Sequence, residues 1–453
     1  APRLGASFDV LGDGKWKLFG SWGRFFDWTK FEMVRGSFGG AVWKEWYHAL
    51  EPGTDIFALN PTSYLPGANL LGTDEYRDFR IPSFGEDSID PDIKPMYQDT
   101  MVIGSEYQLN PQTVFGVNWV RARLTRTIED IGYVRGDSSG YSLGNPGEGL
   151  YEYETNHISD TPDFLMPKPK REYDALELTF QRRFSKGWFL GANYTYSRLN
   201  GNYTGLSDTD EILVGGWGAS QGPTGTVARP GTNTALFYDS EAYLLDSYGN
   251  YIDGRLPTDR PHVFKAYGSY SFKWGTTASA NFYVGSGTPL TTMVENTWWD
   301  PMMVNNRADL GRTPTLSQTD LMVSHDFKIG EGKSFRVEMN MMNVFSQRTV
   351  RHTDPLVNRF RTDAAGIELG EIWDEMDPDD PLDDVLLAPA VNLLEGFDWQ
   401  ERLALSVYSR DTSLTTDPNS LDSMENYAVS PTYKKADLWN PPFSARFGVK
   451  FVF

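Results

Sequence analysis

Apolar residues recur at every second position along much of this 453-residue chain, separated by polar or small ones. The closing stretch carries the pattern to the last letter. There Phe443, Ala445, Phe447, Val449, Phe451 and Phe453 alternate with Ser444, Arg446, Gly448, Lys450 and Val452. A period of two places the two sets on opposite faces of a strand. "RLGASFDVL" (3–11) behaves alike, with Leu4, Ala6, Phe8 and Val10 opposite Arg3, Gly5, Ser7 and Asp9. The glycine-rich "GDGK" (12–15) then signals a tight hairpin into "WKLFGSWGRFF" (16–26).

Four further pairs follow the same rule. They are 102–109 with 113–129 around "NPQ", 172–184 with 187–198 around "SKG", 262–274 with 276–287, and 319–329 with 333–347 around "GEGK". With 3–11 paired to 15–26, and 442–453 left as a last strand, eleven strands are expected. The connections between hairpins, roughly 27–100, 130–171, 200–260, 290–316 and 349–441, are long and rich in Gly, Pro, Asp, Asn and Trp. They carry no pattern of their own and are expected to be structureless. Short turns alternating with long loops are the asymmetry of a transmembrane antiparallel β-barrel. A soluble sandwich has no reason to put every long loop at one end.

Strand polarity adds a second expectation. If the short turns face the periplasm, the first and last strands both run toward it. Single-chain bacterial barrels have an even strand count, and a bare edge in lipid costs on the order of several kcal/mol per unsatisfied backbone group. The chain is therefore expected to be the C-terminal part of a larger barrel. The remaining strands then lie in a separate polypeptide or upstream.

Composition narrows the chemistry. There are no cysteines, so neither disulfides nor thiolate sites are available. No stretch of 18 apolar residues exists, which excludes a spanning helix. Mean hydropathy is −0.45, compatible with a barrel in which only half of each strand meets lipid. The net charge of −20 argues against nucleic acid as a partner, since phosphate contacts need a basic footprint.

Candidate sites are few. "GEGKS" (330–334) lacks the first glycine of a phosphate-binding loop, because that position is Phe327. "GSGTP" (285–289) is not a nucleophile elbow. The five histidines, His48, His157, His262, His325 and His352, show no ligand spacing. The segment 371–384 carries eight carboxylates and no base. Within it Asp377, Asp379, Asp380, Asp383 and Asp384 form a candidate Ca²⁺ site, although Leu382 stands where a calcium-binding loop has glycine. The alternative is a solvated acidic loop with no metal. Loop-side tryptophans (Trp28, Trp43, Trp46, Trp298, Trp299, Trp373, Trp399) suit an interfacial belt, loop packing or stacking on a ligand. On the polar strand faces Glu177, Arg183, Arg336, Glu338, Arg446 and Lys450 are expected to line the lumen.

The stretches that define the strands also resemble a family. "APRLGASFDVLGDGKWKLFGSWGRFFD", "DPDIKPMYQDTMVIGSEYQL", "LGNPGEG", "MPKPKREYDALELTFQRRFSKGWFLGANYTYSRLNGNYTGL", "LPTDRPHVFKAYGSYSF", "GSGTPL", "GRTPTLSQTDL", "NVFSQRTV" and "RFGVKFVF" are similar, in order, to the barrel of TonB-dependent receptors. The nearest branch is the Oar-like, carboxypeptidase-regulatory-domain-containing one. Such receptors close about 22 strands around a plug, which would make the present strands the second half. The resemblance implies the outer membrane of a Gram-negative bacterium and no enzymatic activity. It also implies contact with outer-membrane lipid, a TonB-type energy-coupling protein acting through a plug that lies upstream, and recognition by the barrel-assembly machinery. Phe451 and Phe453 match the terminal-aromatic assembly signal, while position 449 is Val449. Two functions follow as alternatives: energised, plug-gated passage of a ligand captured by the loops, or a non-transport platform presenting those loops to a partner. A soluble carbohydrate-binding β-protein is the third.

Overall fold

The structure, a computed structural model, describes residues 1–26, 42–48, 70–77, 90–135, 138–149, 165–205, 238, 244–295, 301–330, 333–355, 357, 394–400 and 433–452. Of residues 42–48 and 70–77 it describes the backbone alone. Strands are numbered in chain order. Eleven form one continuous antiparallel wall: β1 (Arg3–Asp9), β2 (Trp16–Phe26), β5 (Tyr97–Asn110), β6 (Thr113–Arg126), β9 (Arg171–Ser185), β10 (Trp188–Gly201), β12 (His262–Ser271), β13 (Thr276–Gly285), β16 (Leu316–Gly330), β17 (Lys333–Met342) and β20 (Ser444–Val452). They lie side by side in that order, and the two-residue β11 (Gly254–Arg255) adds to the end of β10.

Register sorts the side chains into two faces, because residues directly opposite in an antiparallel pair point the same way. One row reads Leu18, Ser105, Val117, Leu178, Tyr194, Phe264, Val284 across seven strands. The row one residue away reads Lys17, Glu106, Gly116, Thr179, Asn193, Lys265, Tyr283, Gln318. The apolar face is open to its surroundings: Phe447 is 75% exposed, Leu4 72% and Ile103 54%. In water such a continuous greasy sheet face would be an aggregation surface; against hydrocarbon it is solvated. Aromatics bound it, with Trp16, Tyr107, Trp188 and Tyr270 toward the short turns and Trp22, Trp119 and Tyr196 toward the long connections.

Close approach across the polar face explains one glycine. A Cβ on Gly104 would sit 2.5 Å from the Phe19 ring and 2.3 Å from Asn118 Oδ1. Only a residue without a side chain lets that aromatic lie over its neighbour.

Several strand ends shift by up to three residues, as where β6 stops at Arg126 and β12 at Ser271, and three departures from the expectation are larger. β5 begins at Tyr97, five residues before the alternation becomes clean. β17 stops at Met342 rather than running to 347. The reason is Asn343, whose φ is +49° and whose Nδ2 donates to Pro441 O (2.7 Å) and Gln347 O (3.2 Å), closing a turn where a strand was expected. The long connections, thirdly, are not structureless. They hold four two-stranded sheets, namely β3 (Val42–His48) with β4 (Leu70–Arg77), β7 (Glu129–Arg135) with β8 (Ser138–Gly144), β14 (Met293–Glu295) with β15 (Pro301–Met303), and β18 (Val350–Thr353) with β19 (Ala436–Trp439). No helix among the described residues is long and apolar enough to cross a membrane, which bears on helices only.

The two faces predict opposite responses to charge. Leu178→Arg, on the apolar face, should lower unfolding stability in lipid vesicles by about 2–4 kcal/mol. Gln181→Arg, on the polar face of the same strand, should change it by less than about 1 kcal/mol. Denaturant titration of both variants measures the difference.

Candidate functional site

The polar face carries paired charges at two separate places. Near the last strands, Arg336 donates from Nε and Nη2 to the two oxygens of Asp326 (2.7 and 2.8 Å). Lys450 stands opposite Arg336, Gly448 opposite Glu338, and Arg446 opposite Asn340, so four of the expected residues share one sector. Glu177 belongs to another sector, opposite Asn118 and Thr195 on β6 and β10. Arg183 lies in a bulge of β9 at the short-turn end, its backbone N–H donating to Gln112 O (2.8 Å). Sequence reasoning missed Asp326 and the pair Lys17–Glu106 (2.7 Å). Both were recoverable from the alternation that exposed their partners.

Of the remaining candidates, Asp377, Asp379, Asp380, Asp383, Asp384, Phe453, His157, Trp28, Trp298, Trp299 and Trp373 lie outside the described residues. Phe451 packs against Phe335 with ring centroids 4.8 Å apart and the rings tilted by 43°. His262 and His325 each make a 2.8 Å hydrogen bond through Nδ1, to Tyr194 Oη and Thr276 Oγ1. Among the described residues no group of three His, Cys, Asp or Glu is placed to hold a metal ion.

At the opposite end from the short turns, all five long connections fold together. One apolar cluster takes Ile131 and Met166 from the second connection and Tyr203, Tyr238, Leu244 and Leu245 from the third. Leu124 of the wall joins them, with Met96 and Leu394 from the first and fifth packed alongside. A second cluster joins Val294, Met302 and Val304 of the fourth connection to Val357, Phe397, Trp399 and Tyr433 of the fifth. Ile252 packs with Met293 and Met303, linking the third to the fourth. Backbone bonds reinforce the joints: Phe397 N donates to Ser247 O (2.8 Å) and Val357 N to Met293 O (2.9 Å). The apolar core of this protein is therefore in its loops. The wall face beneath is covered too, since Leu124, Ala175 and Leu199, polar-face positions near the long-connection end, are buried.

Polar clasps fix this layer to the wall. Asp259 is buried, accepts a hydrogen bond from Leu199 N of β10 (2.7 Å), and pairs with the Arg312 guanidinium. Arg312 Nη1 also donates to Asp259 O (2.9 Å) and Gly287 O (3.0 Å). One buried carboxylate thus holds a wall strand and two connections. Gly287 is required at the joint, because a Cβ there would lie 1.6 Å from Thr313 O. "LPTDRPH", "GSGTPL" and "GRTPTL", stretches that carry the family resemblance, are the three parts of this clasp.

"LGNPGEG" makes a second one. Asn145 accepts from Lys94 N (2.6 Å) and donates to Lys94 O (2.9 Å) and Thr127 O (2.7 Å). Glu148 meets Arg126 (3.1 Å), Lys94 (3.5 Å) and Lys168 (3.9 Å). Burial pushes the Glu148 carboxyl up, but the Arg126 hydrogen bond and the three cations outweigh it and hold it below the ordinary value. Deeper in, Tyr203 donates to the Glu129 carboxylate and accepts from Thr127 Oγ1 (3.1 Å). Burial, then the Glu129 charge, raises the Tyr203 phenol well above its usual range and keeps it a donor. These groups pin loops; none forms a nucleophile with a base.

Two outcomes follow. Asp259→Ala leaves Arg312, and Arg255 whose Nη1 lies 3.7 Å from the same carboxylate, facing a vanished partner, a change that costs about 3–5 kcal/mol for a buried pair; hydrogen exchange should rise in 199–205 and 286–315. Glu148 has a depressed folded pKa, so its contribution is complete above the ordinary carboxylate range and is lost as pH falls through the depressed value. Protease sensitivity of the second connection should therefore rise under acid, and Glu148→Gln should remove that pH dependence.

Over 379 residues the chain is 28% identical to the TonB-dependent transporter Oar of Myxococcus xanthus, covering 78% of this chain and 32% of that protein. The chain thus spans about a third of the length of that relative. Among solved structures, the outer membrane transporter YddB from Escherichia coli aligns with TM-score 0.42 at 9% identity, over 77% of this chain and 37% of that one. The ferric-catecholate import receptor Fiu from Escherichia coli K12 aligns with TM-score 0.35 at 12% identity, over 78% and 32%. The family profile of an outer membrane beta barrel domain matches residues 1–298. With more than half of its length so matched, on a wall of alternating faces, the chain belongs to the outer membrane beta barrel domain family of Gram-negative outer membranes.

Proposed function

We propose that this chain forms wall and outer loops of a TonB-dependent receptor that captures a ligand at its mouth and passes it through a plug-gated lumen. The observation that carries the reading is the shared core of the five long connections, seated over the long-connection end of the polar face. Loops that pack together over the polar face can enclose a ligand above a hydrated passage. In this reading the polar face, with Glu177, Arg183, Arg336, Glu338, Arg446 and Lys450, lines that passage. The apolar face meets lipid. Similarity to the transporter Oar supports it.

The wall needs partners to close. β1 and β20 each have one neighbour among the described strands, and with eleven strands on the path they run in the same direction. A second copy of this chain would meet both edges in parallel. An odd number of additional strands, upstream in the same chain or in a separate one, closes the ring antiparallel throughout, with the plug and its contact to the energy-coupling protein carried by that same stretch.

A platform reading draws on the same packed loop layer, since a self-supporting core also presents a fixed surface. Genetics separates the two. Deleting the gene, disabling its energy-coupling protein and introducing Asp259→Ala should abolish depletion of the same compounds from the growth medium, followed by mass spectrometry. A phenotype unaffected by loss of the energy-coupling protein would favour the platform.

A further inference from the structure

The apolar face does not end in the same way all round the wall. On five adjacent strands it gives way to charge directly above the aromatic boundary. β2 passes from Trp22 to Arg24, β5 from Met101 to Asp99, β6 from Trp119 to Arg121 and Arg123, β9 from Leu176 to Asp174 and Glu172, and β10 from Tyr196 to Arg198. Register places them in two rows: Arg24, Asp99, Arg123, Glu172 in one, and Arg121, Asp174, Arg198 in the next. At the long-connection end of β12 Arg260 follows His262 on this face, opposite Arg198, and is spent on the backbone, its Nη1 donating to Ser286 O (2.5 Å). Among the described residues from β13 to β20 no lysine, arginine, aspartate or glutamate follows the belt on this face. The positions beyond the belt there are Ser286, Thr319, Met341 and Ala445. A general requirement of the membrane interface would distribute charge around the whole circumference; this band occupies one sector.

Within the sector the arginines are incompletely used. Arg24 is fully engaged, forked onto Asp99 at 2.8 Å through two nitrogens and stacked 3.9 Å from the Tyr97 ring. Arg121 Nε lies 3.6 Å from Asp174, beyond hydrogen-bond reach, and is buried without an acceptor. Arg123 Nε is 3.4 Å from Glu172. Arg198, exposed, flanks Asp174 from the other side. Four arginines against three carboxylates leave a local positive excess on a chain whose net charge is −20. Planar guanidiniums in a row are suited to forked recognition of phosphate oxygens.

We propose that the sector formed by β2, β5, β6, β9 and β10 binds the phosphate groups of the phosphorylated glycolipid of the outer leaflet, its acyl chains lying on the apolar rows below. Arg121, Arg123 and Arg198 supply the donors, and Trp22, Trp119 and Tyr196 mark the depth at which headgroup meets hydrocarbon. The inference rests on the assignment of the apolar face to lipid, and on the long connections facing outward, which puts this band in the outer leaflet and not the inner one.

Native mass spectrometry tests it on the protein extracted intact from outer membranes into detergent. Bisphosphorylated lipid A, enzymatically dephosphorylated lipid A and phosphatidylglycerol are added in turn. Retention of the bisphosphorylated form should exceed that of the other two by about tenfold, equivalent to roughly 1.4 kcal/mol. Arg121→Gln with Arg198→Gln should erase that preference, while Arg121→Lys with Arg198→Lys keeps part of it, and Arg336→Gln on the opposite face leaves it intact. Equal retention of all three lipids by the unmodified protein would overturn the proposal, whether or not the variants fold. So would equal retention of phosphatidylglycerol and the bisphosphorylated form, which would reduce the site to generic attraction of anionic lipid. Failure of the lipid-facing assignment itself reads differently: the protein would stay monodisperse once detergent is withdrawn.

Discussion

A strand immersed in hydrocarbon has no water to satisfy its backbone, so each N–H and C=O must find its partner on a neighbouring strand. Most else in this protein follows from that requirement. It makes the wall continuous from β1 to β20, eleven strands with neighbours on both sides except at the two ends. It also fixes register, and register at a period of two separates the side chains into a polar and an apolar population with no further instruction. The large exposed aromatics and aliphatics that would be a defect in a water-soluble sheet become the surface that lipid wets.

Because the wall turns most of its apolar residues outward, it keeps only a few, such as Leu124, Ala175 and Leu199, for the inward face. The core is made elsewhere, by connections contributed from five points along the wall. Those segments are held by charged and polar clasps, Asp259 with Arg312 and Asn145 with Lys94, that fix loop geometry more sharply than apolar contact alone. A rigid layer at the mouth and a hydrated face below it are the two components that ligand capture and passage need. The clasp residues hold shape; they do no covalent chemistry. The buried Glu129–Tyr203 contact lies within this layer.

The parts of this architecture legible in the sequence are those set by neighbours in sequence. Alternation along "ALELTFQRRF" and "WFLGANYTYS" and the glycine-bearing turns are local signals, and the all-β, antiparallel class follows from them. The Asp259 clasp joins residues 53 positions apart, and Lys94 meets Asn145 across 51. No periodicity carries such information, although all four residues sit inside stretches that carry the family resemblance. "NVFSQ" looked like strand because its residues suit one; the left-handed Asn343 backbone and its side-chain bonds ended the ladder instead. The outward charges of "VRARL" were missed for another reason. Alternation assigns Arg121 and Arg123 to the face of Phe115, Val117 and Trp119, and a reading that equates that face with hydrocarbon has no place for them until the height of the belt is known.

The central claim is that one face of each wall strand meets hydrocarbon while the other meets water. The chain contains no cysteine, so single cysteines can be introduced without background. Placed one at a time at residues 176–181 and 190–195 of the protein in native outer membranes, they can be scored for reaction with a membrane-impermeant maleimide. The account predicts strict alternation, with Glu177, Thr179, Gln181, Gly191, Asn193 and Thr195 reactive and Leu176, Leu178, Phe180, Leu190, Ala192 and Tyr194 protected. Uniform reactivity along both strands would contradict it.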